Sequence, residues 1–572
     1  MKRILMLGFA FVLISCSGGE DTTVTLDPDY LLLRDNLPQV SSCKALHAYP
    51  SWGRGTWSPE LFPSTHWLVD HGPSLAPVPP GLDSEEVDLS IDPESRTING
   101  SATIQILTKE PTGVVYFSLT AAQAEVTAAD PPAALWSYED GVLEVVAQDE
   151  IPQGQTWTIE VQWSDENVEQ VQDLFPEGGG SVLANLISKD STFFTFGYDF
   201  WPKLRPLGIL PQVLFRVTFP SDLTLVMSGE RTDNVNNSDG TRTETWSVDF
   251  PTMGNLGLAL AKYDVAEGSC GDAKLEIYAR PGKSIDDYPI VPGTYIEGFQ
   301  KACDYYVSLF GQPAVSTIRF AGVDERFTNG YATPGLVLVP NYIWDDDGTG
   351  SFTERDFYLA HELSHTWWGN DVFLGRMKDV WLIEGMADWA GCNAVGEMED
   401  EEHRTKIWIW EVSPFINWLY TGGDDQPVVS DDLDNLKPVV YYVKGAWVLR
   451  MLQSVVGDEK MAQIVGQFRQ AHGFSVMSTE EFTSLAAQVY GKDLDWFFEQ
   501  WLNGKGVMSL RQSNETTDDG VEVTVEQLNS WAGDSQTFYE MPLVIRARRA
   551  EQSSEQEVHL SKEKEAFFLS WN

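Results

Sequence analysis

His361-Glu362-Leu363-Ser364-His365 is followed, after a gap of 18 residues, by Glu384 within Trp381-Leu382-Ile383-Glu384-Gly385-Met386-Ala387-Asp388. Two histidines four apart on a helix share one face, one turn above the other, so both imidazoles can reach one metal ion. A catalytic zinc takes three protein ligands and keeps its fourth position for water, and a His₂Glu set suits zinc best. His361, His365 and Glu384 are therefore the expected ligands of one Zn²⁺ if a second helix lies beside the first. Glu362, next to the first ligand, flanks the metal where a carboxylate can take a proton from bound water. Asp388, one turn beyond Glu384, is placed to hydrogen-bond the free nitrogen of a ligating histidine and fix its tautomer.

The elements that must position these residues are readable. Asp356 to Ala360 carries helix formers and aromatics, and Thr353 with Asp356 makes a capping box, so the pentapeptide falls on a helix. Apolar stripes at three- and four-residue spacing predict further helices over 296–309, 381–395, 442–456 and 460–472. Upstream, alternation in Val87 to Ile91, Ala102 to Leu107, Leu143 to Val146, Trp157 to Val161 and Val213 to Phe219 predicts an all-β domain to about residue 262. Strands return in the tail at Val521 to Val525, Met541 to Arg546, Val558 to Leu560 and Phe567 to Leu569.

With 572 residues and 42% hydrophobic content, several packed cores are expected. The net charge of −47 speaks against nucleic acid or an anionic membrane surface as a partner and gives no mechanism by itself. Lys2 and Arg3 precede an apolar run, Ile4 to Ile14, that is too short to span a bilayer. Together with Leu13-Ile14-Ser15-Cys16 it resembles a bacterial lipoprotein signal peptide. That resemblance implies lipid attachment at Cys16 and a mature protein tethered to the cell envelope, facing the periplasm or the exterior, with the lipid as its sole membrane contact. The alternative is an ordinary secretory signal. Residues 17–82 read as a tether and a Pro-rich linker. Cys43, Cys270, Cys303 and Cys392 allow up to two disulfides among three pairings.

At HELSHTWWGN (361–370), WLIEGMAD (381–388), Tyr442-Val443-Lys444-Gly445 and Val87 to Gly100, the chain resembles the aminopeptidase N family of zinc metallopeptidases, in the gluzincin clan. The resemblance runs over roughly residues 83–572. It implies a saddle-like all-β domain (83–262), a thermolysin-like, mostly helical zinc domain (263–505) and a small β-sandwich-like domain (506–572). It also implies peptide substrates, Glu362 as general base and acid, and Tyr442 as hydrogen-bond donor to the oxyanion of the tetrahedral intermediate.

One position departs from that family. Its aminopeptidases carry Gly-x-Met-Glu-Asn, whose glutamate grips the substrate's free α-amine. The corresponding stretch, Asn329-Gly330-Tyr331-Ala332-Thr333, has Ala332 where that glutamate stands. An alanine leaves an ammonium group poorly compensated, although Asp324 or Glu325 stands just upstream. Three functions follow: an aminopeptidase, a zinc peptidase without free-N-terminus specificity, or a zinc-stabilised surface protein that binds without cleaving. Asp345 to Asp356 loosely follows a calcium-loop pattern, but position twelve is Asp rather than Glu, and the plain reading is an acidic loop leading into the zinc helix.

Overall fold

The computed structural model describes residues 13–17, 23–27 and 81–571, except 174–180, 196–197, 206–209, 211, 283–288, 328–329, 346–352, 421–425, 433–436, 507, 509, 529, 531–536 and 550–551. Most of the tether, Cys43 and the centre of the acidic loop lie outside the described residues. The chain divides into two compact units, one spanning Arg54–Arg376 with His472–Val476, the other spanning Met1–Gly53, Met377–Ala471 and Met477–Asn572.

In the first unit the predicted alternation builds two sheets. A seven-stranded sheet runs, edge to edge, through Glu230–Asn236, Thr241–Val248, Val213–Pro220, Gly81–Asp92, Thr97–Leu107, Thr156–Glu166 and Gln123–Asp130. A four-stranded sheet runs through Lys203–Arg205, Thr112–Ser118, Val142–Ile151 and Ala133–Glu139. Val87, Leu89 and Ile91 face a buried cluster with Phe117, Val145, Trp157, Ile159 and Phe215, while Asp88 and Ser90 face out.

A further, mixed sheet follows in the same unit. Its central strands, β1 (Ala273–Ala279), β2 (Thr317–Val323), β3 (Tyr331–Thr333) and β4 (Leu336–Pro340), are ordered β1-β2-β4-β3, with β1, β2 and β4 parallel and β3 antiparallel at the edge. Every residue of β2 and β4 is buried, which fits central strands covered on both faces. Helix α1 (Ile296–Phe310) lies beside this sheet, and α2 (Thr353–Ser364) carries His361 to Ser364, with His365 on the turn directly after it. A disulfide joins Cys270, at the end of the neighbouring strand Asp264–Cys270, to Cys303 of α1, which selects one of the possible pairings. Cys392 is a buried thiol.

The second unit holds helices α3 (Glu384–Met398), α4 (Glu401–Tyr420) and α5 (Gly445–Val456), and then the C-terminal strands. Leu510–Thr516, Gly520–Gln527 and Lys564–Ser570 form one antiparallel sheet, and Met541–Arg549 with Gln552–Leu560 a second. Each has an inward row, Val521, Val523 and Val525 in the first and Leu543, Ile545 and Ala547 in the second. Two short strands from the N-terminal region add to these sheets: Leu13–Ser17, which contains Cys16, runs parallel to the 510–514 edge, and Thr23–Asp27 runs antiparallel to 544–548.

The disulfide closes a loop with a sequence separation of 33. Chain-entropy arguments put its contribution at roughly 3–4 kcal/mol. Cys303→Ser should lower urea stability by an amount of that order, and mapping of an unreduced digest should recover the 270–303 pair, with Cys392 alkylated only after denaturation.

Candidate metal centre and active site

Helix α2 ends where the chemistry begins. Thr366 N–H donates to the Leu363 carbonyl, and Trp367 and Trp368 N–H both turn back to the Ser364 carbonyl. This tight turn brings the Trp368 carbonyl to 2.9 Å from His365 Nδ1. A carbonyl only accepts, so Nδ1 carries the proton and Nε2 keeps its lone pair. His365 Nε2 then stands 3.2 Å from His361 Nε2. Burial holds both imidazoles neutral, with pKa values down to about 3. Two nitrogens bound to one tetrahedral zinc at 2.0–2.1 Å lie roughly 3.3 Å apart, so this spacing fits that ion.

The pair is fixed from behind. Tyr306 of α1 donates its hydroxyl to the Ala360 carbonyl at 2.9 Å, and Trp367 Nε1 donates to the Gly311 carbonyl at 2.9 Å. Trp367 and Trp368 meet Phe310 at ring distances of 5.8 and 5.3 Å. Asn370 accepts from Asn255 Nδ2 at 2.8 Å, which ties the end of the motif to the N-terminal β region.

Glu362 is buried, and a Cβ added to Gly330 would overlap its carboxylate. Only glycine lets the backbone leading into β3 come so close to this side chain. Alternation puts Ala332 on the same side of the chain as Gly330, while Tyr331 and Thr333 face the other way. Tyr331 packs against the cluster of Leu336 and Leu338, and Thr333 hydrogen-bonds Ser228 at 2.9 Å. Asp324 is ion-paired with Arg326 at 2.9 Å, and that pairing outweighs the effect of burial and holds its carboxyl below the usual range.

In the second unit Glu384 is the first residue of α3, and Tyr442 lies on a π-helical turn, Val440–Lys444, that leads into α5. The sequence predicts an ordinary helix there, and π turns recur at functional sites. Gly385 and Gly445 form a close crossing. A Cβ on Gly385 would stand 2.9 Å from the Tyr441 carbonyl oxygen, Gly445 C and Ala446 N alike. This approach lets the Tyr442 hydroxyl hydrogen-bond the Glu384 carboxylate. Burial first, then the Glu384 charge, pushes the phenol pKa well above its ordinary value, so the hydroxyl keeps its proton.

Asp388, one turn along α3, is hydrogen-bonded to Glu411 of α4. Both carboxyls are buried. Burial raises Asp388 to about 8, and burial with the neighbouring charge raises Glu411 well above the carboxylate range. Sequence reasoning passed over Glu411, although one acid in the apolar run Ile407-Trp408-Ile409-Trp410-Glu411-Val412 was a usable signal. The proton-fixing partner of His365, the Trp368 carbonyl, is a backbone group with no side-chain signature.

His361 and His365 are buried in the first unit, and Glu384 is buried at the start of α3 in the second. In the acidic loop Asp345 is buried and ion-paired with Arg355 at 2.7 Å, while residues 346–352 lie outside the described residues.

The architecture of the described residues matches that of M1 metallopeptidases of known structure. The sequence profile described as Peptidase family M1 domain matches residues 345–501, and the chain carries a domain of this zinc-dependent family, that of aminopeptidase N. Aminopeptidase N of Streptomyces lividans is 30% identical over 199 residues, which cover 32% of this chain and 23% of that protein. Aminopeptidase M1-D of Oryza sativa subsp. japonica is 24% identical over 266 residues, or 44% and 29% of the two chains. The chain thus spans less than a third of the length of these curated relatives. The M1 zinc metallopeptidase from Deinococcus radiodurans superposes with a TM-score of 0.59 at 18% identity, over 75% of this chain and 94% of that one, a likeness of fold.

The Asp388–Glu411 pair makes stability depend on pH. An unfolded Asp titrates near 3.9 and the folded one near 8, so between those values the folded chain holds a proton that the unfolded chain has lost. Stability should therefore fall as pH rises from about 4 to about 8. Glu411→Gln should flatten this decline and overtake the parent at the alkaline end, as read by urea unfolding of metal-free protein at pH 5, 7 and 9.

Proposed function

We propose that this chain is a zinc-dependent peptidase that hydrolyses peptide bonds outside the cytoplasm, with aminopeptidase specificity as its starting expectation from its relatives. The observation that carries this reading is the buried, neutral His361–His365 pair at 3.2 Å with Glu362 pressed against Gly330. His361, His365 and Glu384 would hold one zinc ion. When bound, zinc supplies a Lewis acid for the scissile carbonyl and an acidified water. Glu362, confined beside Gly330, takes the proton of the attacking water and returns it to the departing amine. Tyr442, kept protonated by burial and by Glu384, donates its hydrogen bond to the oxygen on which negative charge grows. Such a donor stabilises the transition state more than the ground state, which a protein that only binds peptides does not need.

The leader ending at Cys16 and the Cys270–Cys303 disulfide support an exported, lipid-anchored protein, since such bonds persist mainly in oxidising compartments. Glu362→Gln should lower kcat by about 10²–10⁴ while metal analysis still finds one zinc per chain. An undiminished rate would sink the assignment.

Ala332 favours a second reading of specificity. The face of β3 that would meet an α-amine carries a methyl group, and the nearby Asp324 is engaged by Arg326. A fluorogenic peptide series with free and acetylated N-termini separates the two. Strong preference for the free amine, read as kcat/KM, supports aminopeptidase action through another group. Equal or better cleavage of acetylated peptides means the site takes blocked or internal segments.

A further inference from the structure

Lys444 is an unusual residue to find inside a protein core. Its side chain is buried, with the residue only 3% exposed, and an ammonium group loses several kcal/mol of hydration when it is buried. Leucine or methionine would fill such a space without that penalty. The ammonium is oriented: Nζ donates to the Gln426 carbonyl at 3.0 Å and to the Gly504 carbonyl at 3.4 Å.

These two carbonyls belong to one anchored substructure. Gly504 directly follows a second π-helical turn, Glu499–Asn503, which continues the short helix Asp495–Phe498. Val429 N–H, three residues after Gln426, donates to the Leu502 carbonyl of that turn at 3.1 Å. The turn is fastened to the C-terminal strands. Gln500 Nε2 donates to the Glu540 carbonyl at 2.7 Å, Glu540 N–H returns to Gln500 Oε1 at 2.8 Å, and Trp501 stacks on Tyr539 at 4.8 Å. Lys444 thus reaches the carbonyl-rich end of a helix, where a cation is favoured, and that end is itself held on both sides.

Lys444 is also the last residue of the turn that carries Tyr442. A π turn shifts the backbone hydrogen-bond ladder by one residue and is rare, so its shape depends on its surroundings. On one side stands the Gly385–Gly445 crossing. The Lys444 ammonium supplies a second tether, to the 426 and 504 carbonyls.

We propose that Lys444 is a positioning residue for the reaction, fixing the π-helical turn so that the Tyr442 hydroxyl is presented on Glu384 and to the developing oxyanion. This assignment rests on Tyr442 being the oxyanion donor. It also gives the C-terminal β region a part in catalysis, because the lysine's anchor is fastened there.

A double-mutant cycle on the full-length, zinc-loaded protein tests this. Lys444→Met, Tyr442→Phe and the double variant are compared by kcat, KM and zinc content. Lys444→Met is expected to lose about ten- to a hundredfold in kcat, as small misplacements of a catalytic group do, with KM within about twofold and zinc retained. The double variant should be no slower than Tyr442→Phe, because the lysine acts through the phenol. Unchanged kcat in folded Lys444→Met overturns the proposal, and so does a loss that multiplies fully with that of Tyr442→Phe. If Lys444→Met does not fold, Lys444→Arg serves in the same cycle, since its planar head cannot occupy the same point between the two carbonyls. Wild-type kcat in Tyr442→Phe would instead remove the role assigned to Tyr442, an outcome distinct from multiplicative loss.

Discussion

His361 Nε2 and His365 Nε2 stand 3.2 Å apart in a dry interior, and that spacing depends on the scaffold around the two rings. Much of the α2 environment serves this arrangement. The turn after Ser364 aims the Trp368 carbonyl at His365 and decides which nitrogen is protonated. Tyr306, Trp367 and Asn370 each anchor the helix or its exit to a different neighbour, so ring orientation is set by several independent contacts. A cation bound by the two nitrogens would be held by that same scaffold, which couples metal binding to local stability.

The second unit solves a related problem with backbone contact. Gly385 and Gly445 let two helical segments touch without side chains between them, and this brings a phenol onto a carboxylate. Behind that pair, Asp388 and Glu411 share a buried hydrogen bond, and Cys392 continues the same row of α3. Repulsion between two buried charges is avoided by keeping a proton, so the environment of Glu384 carries less negative charge than its composition suggests.

Local patterns were the legible part of this chain. The i, i+4 spacing placed both histidines on the last turn of α2 and its exit, and alternation found the strands around Val87, Ala102, Val213 and Val521, because these signals come from side-chain periodicity alone. Glu384 was legible from its spacing after the histidines and from Asp388 one turn beyond it, and the Tyr442 segment was found through resemblance. What escaped depends on tertiary context. Glu411 acquires its role from a helix crossing, the Trp368 carbonyl from a turn, and the π geometry at 440–444 from packing against Gly385. The partner of Cys270 was equally invisible, since four cysteines carry no pairing rule in their spacing. Thr23–Asp27, in a stretch that reads as tether, pairs with a C-terminal strand whose edge accepts it, a match made by backbone hydrogen bonds rather than by any motif.

The hydrogen bond from Tyr442 to Glu384 has one more consequence. A phenol has a single proton to donate, and here the Glu384 carboxylate stands beside it as an acceptor. A carbonyl oxygen entering the site must therefore compete with a carboxylate for it. A neutral amide is a weaker acceptor than that carboxylate, whereas an oxygen gaining negative charge is a comparable one. On the role proposed for Tyr442, its proton would turn to that oxygen as negative charge grows there, and Glu384, one of the residues that would hold the zinc, would lose this hydrogen bond. On that proposal, the resting hydrogen bond would favour the charged oxygen of the transition state over the neutral carbonyl of the reactant.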